Sequence, residues 1–218
     1  MRMLRGQAQA GIRKTAANGE LIGDDMNDIL PGGEFGGGRR GRSFTWSNIL
    51  RRAAWRACWL FLCAWTPPQL HPWRRFVLNC WGAKIAKGAR VYPSANIWYP
   101  ANLEMGEGAV LGFRTQCYCM DKIVLEPFAV VSQFTHLVAG THKFDDPTFQ
   151  LYTRPVRVGA YAWLASSSFV GPGVTIGEGA VLGARGVAMK NLEPWTVYAG
   201  NPAVELRKRT NFLNNPSA

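Results

Sequence analysis

VGAYAWLASSSFVGPGVTIGEGAVLG, residues 158 to 183, puts an aliphatic side chain at every sixth position: Val158, Leu164, Val170, Ile176 and Leu182. Gly or Ala follows each of them, and small residues recur four positions on in several hexads. That pattern describes short parallel strands bent repeatedly around a triangular coil. A helix would need apolar residues at a period near 3.6 and a half-buried strand a period of two, and neither fits. The six-residue rhythm therefore predicts a left-handed parallel β-helix, an all-β prism built from hexapeptide repeats.

Working outward towards the N-terminus, hexads begin at Ile85, Val91 and Ile97. The frame slips by two after Leu103, to Met105, Leu111 and Cys117, and again after Ile123, to Leu125 and Val131. Such slips read as small bulges at corners, giving about twenty residues to a turn instead of eighteen. Residues 137 to 157 abandon the rhythm and read as a loop ejected from the coil, and the rhythm ends near Pro194. The two blocks sum to roughly five coils, each rising about 4.8 Å. A flat-sided prism has no deep pocket of its own, so a ligand cleft has to come from a loop or from a neighbouring copy.

The flanks divide the 218 residues further. Residues 1 to 43 mix Gly, Asp, Asn and Arg without an apolar period and read as a disordered leader. Residues 44 to 82 form a Trp- and Arg-rich helix and lead-in, 83 to 204 the β-helix with its loop at 137–157, and 205 to 218 a C-terminal tail. Within the second segment, FTWSNILRRAAWRACWLFLCAW (44 to 65) has mostly helical apolar spacing and stops at Pro67-Pro68. Its uncharged run, Ala57 to Pro68, is twelve residues long, well short of the roughly 20 needed to cross a bilayer. Two readings stand side by side: a cap packed on the prism, or an interfacial helix with Trp anchors and Arg at lipid headgroups. HPWRRFVLNCWGAKI, which follows, reads as packing that covers the coil's open end.

The formal charge of +11 is mainly N-terminal, with twelve Arg or Lys against five acids in residues 1 to 82. Between Glu34 and Glu104 no acidic residue occurs, which suits an anionic surface. Nucleic acid is not the expected partner, because no recognised nucleic-acid module accompanies the charge and the basic segment is apolar and helical. The five cysteines (58, 63, 80, 117 and 119) have neither CxxC nor zinc-type spacing and read as free thiols. No secretion signal is evident, so the expected location is the cytoplasm, with peripheral attachment at the inner face of the membrane through residues 44 to 81.

The chemistry gathers in the loop, LVAGTHKFDDPTFQLYTRPVR, where Thr141 precedes His142 and Asp145 and Asp146 follow closely. An imidazole, with an unperturbed pKa of about 6.5, is a ready base at neutral pH. Positioned, it can deprotonate an acceptor hydroxyl as that hydroxyl attacks a thioester, and Asp145 is the expected orienting group. From the residues alone, a surface histidine without a role stands beside this reading.

GTHKFDDPTF, AWLASSSFVGPGVTIGEGAVLGARGVAMKNL and WTVYAGNPAVELRKR together resemble the hexapeptide acyltransferase superfamily. The chain looks most like the colanic-acid-type sugar O-acetyltransferases of exopolysaccharide synthesis, over roughly residues 44 to 209. The resemblance implies acetyl transfer from acetyl-CoA to a sugar or lipid-linked sugar hydroxyl. It also implies a homotrimer with sites between adjacent prisms. His142 matches the family's base. Trp163 matches an aromatic beside the acyl path, and the Ser166 N–H matches a donor to the thioester oxygen. Ala165, Gly183, Ala184 and Met189 match the pantetheine wall, while Lys190 and Arg207 match phosphate contacts. Two departures are Lys143, where many sugar acetyltransferases carry Pro, and the lack of a second His after it.

Other readings remain open at this level. His136, His142 and His71 lack the spacing of a zinc site, so no metal is expected. Gln133 and Arg154 are candidates for the acceptor side by location alone. N-acyl transfer to an amino sugar or antibiotic is the rival enzyme reading, and a non-catalytic scaffold is the rival of a different kind.

Overall fold

The structure, a computed structural model, describes residues 43–145 and 149–214, so the leader up to residue 42 and Asp146 lie outside the described residues. Three parallel sheets form the faces of a prism of about six turns. The first face carries strands Lys84–Ile85, Leu103–Met105, Ile123–Leu125, Val156–Val158 and Thr175–Ile176. The second carries Arg90–Val91, Val110–Leu111, Val130–Val131, Trp163–Leu164, Val181–Leu182 and Thr196–Ala199. The third carries Asn96–Ile97, Gln116–Tyr118, His136–Val138, Phe169–Val170 and Val187–Ala188. In every coil the hexad aliphatic points inward; Leu111, Val131, Leu164 and Leu182, stacked on the second face, are fully buried.

The register explains the slips. Lys84 pairs with Glu104 and Glu104 with Val124, an offset of 20 residues, whereas Arg157 pairs with Thr175 at an offset of 18. The two additional residues fall each time between the third and first faces, first in the 3₁₀ turn Pro100–Asn102 and one coil later around Cys119 to Lys122. The ejected segment leaves from the same corner, between His136–Val138 and Val156–Val158. One edge of the prism therefore absorbs every insertion while the other two stay regular.

Those regular corners need a left-handed backbone conformation. Between the first and second faces it is taken by Gly88, Gly108, Phe128, Tyr161, Gly179 and Trp195, with φ of 51–85°. A residue with a Cβ pays roughly 1–2 kcal/mol for this. Ring stacking offsets it, since Phe128 and Tyr161 lie 5.2 Å apart at 14°. Gly179 leaves room for the next ring, because a Cβ there would sit 2.5 Å from Trp195.

Two helices close the N-terminal end. Helix α1 (Trp46–Leu62) is capped by the Thr45 side chain, which accepts from the Asn48 N–H. It packs on the first coil through Trp55 and Trp59, whose indoles donate to the carbonyls of Ile97 (2.7 Å) and Pro93 (3.1 Å). Helix α2 (His71–Cys80) is fastened by buried Arg74, which donates to the Val91 carbonyl and the Thr66 hydroxyl, both at 2.7 Å, and to the carbonyls of Pro67 (3.0 Å) and Pro68. No helix among the described residues is long and apolar enough to cross a membrane.

Three expectations shift. The stack has about six turns instead of five, because Thr196–Ala199 adds a layer beyond Pro194 on a shortened offset, Val181 to Val197. Residues 205 to 208, expected to begin a tail, belong to Val204–Lys208, which pairs antiparallel with Thr196–Ala199 and covers the last second-face edge. The expected helix over 44 to 65 ends at Leu62, where the Cys63 N–H bonds the Trp59 carbonyl.

Candidate active site

The ejected segment is an antiparallel hairpin. Gly140–His142 pairs with Leu151–Thr153 in the register Gly140 to Thr153, Thr141 to Tyr152 and His142 to Leu151. Buried Leu151 and Gly140 anchor its base, and a Cβ at Gly140 would sit 2.6 Å from the Met120 sulfur, so the strand lies close against the coil below. The Arg154 N–H bonds the Ala139 carbonyl at 3.0 Å and closes the exit.

At the end of its strand His142 is half-buried. Its ring lies flat on Phe149, with centroids 4.5 Å apart and planes 11° apart, and its Nδ1 is 2.9 Å from the Phe149 carbonyl. A carbonyl can only accept, so Nδ1 carries the proton and Nε2 presents a lone pair. Asp145 was expected to orient this ring. It is exposed, and among the described residues no hydrogen bond or ion pair joins it to His142; a main-chain carbonyl fixes the tautomer instead. Phe149 was not singled out from the sequence, because its closeness to His142 depends on the hairpin register.

The other expected residues lie elsewhere on the prism. Trp163, on the second face, is 45% exposed and donates from its indole to the Ser132 hydroxyl at 2.9 Å. It lines an open groove with Phe128, Val130, Tyr161, Arg209 and Phe212. Arg209 is pinned there by bonds to the carbonyls of Tyr161 (3.1 Å) and Gly179 (2.9 Å), and burial lowers its pKa. Sequence reading missed this aromatic groove, because Phe212 and Arg209 reach it only by the final antiparallel return.

Ala165 and Ser166 form the corner between the second and third faces, and Gly183 and Ala184 form the same corner one coil above, where the Arg185 N–H bonds the Ser166 carbonyl at 3.0 Å. Ala165 is buried and its N–H bonds Leu182, while the Ser167 N–H bonds Gln133. Among the described residues no acceptor pairs with the intervening Ser166 N–H. Gly183 is tightly set, as a Cβ there would lie 3.1 Å from the Ala199 Cβ. Met189 and Lys190 are exposed past the third face, with Met189 lying against Gly171. Arg207, exposed on the last strand, pairs in register with Val197.

Within one prism, then, the third face separates the His142 hairpin from the Ser166 corner. A side of about six residues at about 3.3 Å each spans on the order of 20 Å. His142 shares its edge with Met189 and Lys190, and Trp163 borders the Ser166 corner. His136 stacks on Phe169 at 6.4 Å, on the third face between them. Among the described residues no group of three or more His, Cys, Asp or Glu is gathered in a way that could hold a metal ion.

Comparison with known proteins fixes what this prism is. Over 168 residues the chain is 38% identical to the colanic acid biosynthesis acetyltransferase WcaF of Escherichia coli, covering 77% of this chain and 92% of that protein. This chain belongs to the hexapeptide-repeat acetyltransferases. No family model matches it. Among solved structures, this acetyltransferase superposes on a maltose O-acetyltransferase from Clostridium difficile with a TM-score of 0.68 at 22% identity, covering 77% of this chain and 90% of that one. It superposes on a hexapeptide-repeat acetyltransferase of Vibrio cholerae, solved with acetyl-CoA, with a TM-score of 0.65 at 16% identity, covering 77% and 91% of the respective chains. At those identities the structural likeness speaks for the fold of this acetyltransferase, and the WcaF match for its family.

Proposed function

We propose that this acetyltransferase moves the acetyl group of acetyl-CoA to a sugar hydroxyl in exopolysaccharide synthesis, with His142 as general base. The observation that carries the reading is the His142 ring itself, held flat by Phe149 with its Nδ1 proton committed to a carbonyl and Nε2 left basic. In the reaction Nε2 takes the proton of the acceptor hydroxyl as its oxygen attacks the thioester carbonyl. The Ser166 N–H donates to the developing oxyanion. Collapse breaks the carbon–sulfur bond, and the imidazolium returns its proton to the departing thiolate. A base so placed typically contributes about 10²- to 10⁴-fold in rate.

The separation of His142 from Ser166 by a whole prism face supports a homotrimer, in which the hairpin of one copy meets the Ser166 corner of the next. Trp163 then lies beside the acyl group. Ala165, Gly183, Ala184 and Met189 line the pantetheine path, and Lys190 and Arg207 meet phosphates. The kinship with a colanic acid acetyltransferase supports an exopolysaccharide sugar as acceptor, and the Trp-rich basic residues 44 to 81 support a lipid-linked form of it at the inner face of the membrane. The deciding experiment measures thiol release from acetyl-CoA against free sugars, nucleotide sugars and lipid-linked sugars, with His142→Ala as control. Turnover unchanged by that substitution removes His142 from the mechanism, and a product stable to mild base is an amide and turns the reading to N-acylation.

A further inference from the structure

The outer surface of the two helices is a run of exposed apolar side chains. Along α1, Leu50, Ala53, Ala57 and Phe61 recur at helical spacing on the side opposite buried Trp55, and all are exposed. The surface continues through Trp65 into α2, where Trp73 and Phe76 share one face with their rings 5.8 Å apart. Phe61 is 70% exposed, Trp65 73% and Phe76 60%. A contiguous patch of this kind marks an interaction site. Its polar atoms are already satisfied within the chain: the Trp65 indole donates to the Phe61 carbonyl at 2.6 Å and the Trp73 indole to the Leu62 carbonyl at 2.8 Å. The ring faces can leave water without stranding a donor.

Charge selects the occupant. Arg56 and Arg75 lie on the same two helices, and Lys87 and Arg90 on the adjoining first coil, with no acidic side chain from residue 43 to Glu104. A second copy of this patch would bring the same positive charge against itself, whereas an anionic lipid surface complements it. We infer that the α1–α2 surface of this chain docks on anionic lipid bilayers, with Phe61, Trp65, Trp73 and Phe76 inserted at the headgroup level and the arginines and lysines over the lipid phosphates. The inference deepens the lipid-linked reading of the acceptor but is read in a separate assay, so vesicle binding can fail while acetyl transfer stands, and the reverse.

The test is co-sedimentation of the full chain with phosphatidylcholine vesicles, with and without phosphatidylglycerol, at low and high salt. The chain is expected to pellet with the phosphatidylglycerol vesicles at low salt and to be released by salt. Phe61→Ser/Phe76→Ser, which removes no hydrogen bond, should weaken partitioning by about tenfold or more. Arg56→Glu/Lys87→Glu should weaken it by at least about fivefold. Both variants should keep the melting temperature and native mass of the parent. A parent chain that stays in the supernatant at low salt overturns the inference. So does aromatic-variant binding equal to the parent's, which leaves only diffuse charge, or a loss of oligomer mass in that variant without lipid, which makes another copy the occupant.

Discussion

His142 and Phe149 lie seven residues apart in the chain yet stack at 4.5 Å, and the carbonyl of the second holds the Nδ1 proton of the first. Ring and carbonyl thus come from one residue, so substitution can separate them. Phe149→Ala keeps the carbonyl and loses the stack. Thiol release should fall about tenfold in kcat with little change in KM for acetyl-CoA, against about 10²- to 10⁴-fold for His142→Ala. An equal loss in both variants would mean that Phe149→Ala had collapsed the hairpin, which hydrogen exchange at residues 140–142 would reveal.

Leu164 sits midway up the second face, fully buried between Val131 below and Leu182 above. Leu164→Ala leaves a cavity that stacked backbones cannot close, and should cost about 2–5 kcal/mol. Denaturant titration of the circular-dichroism signal measures it.

Gly179→Ala is small by volume yet should destabilise. Its φ is +62°, and the added Cβ would lie 2.5 Å from the Trp195 ring. A loss of about 1–2 kcal/mol from the backbone alone is expected. Trp195→Ala in the same background should recover part of the steric excess, which a double-mutant cycle reads directly.

Helix α2 carries a pH-sensitive fastening. His71 sits with its Nδ1 2.9 Å from the Val91 carbonyl and 3.1 Å from an Arg74 nitrogen. Burial, only partly opposed by the Val91 bond and reinforced by Arg74, Arg90 and Arg75, lowers its pKa below the ordinary value. The unfolded chain therefore binds the proton more readily. The stability contributed by a neutral His71 is full above about pH 6.5 and declines as pH falls from there towards the depressed folded value. Melting temperature followed down through that window should drop, and His71→Asn should flatten the slope. An identical slope in the variant would assign the drop to other groups.

Hexad spacing alone determined the architecture, because an inward aliphatic every six residues has one economical solution in three short faces. The two-residue slips even predicted the longer early coils, since register counts residues. The tertiary structure decided what local pattern cannot encode. Thr196–Ala199 and Val204–Lys208 add a layer because open β edges need partners, although no hexad announces them. Phe149, and not Asp145, orients His142, since antiparallel pairing brings residues together by register rather than by charge. The histidine was legible as chemistry wherever it lay. That it stands a full prism face from Ser166 follows only from which corner ejects the hairpin.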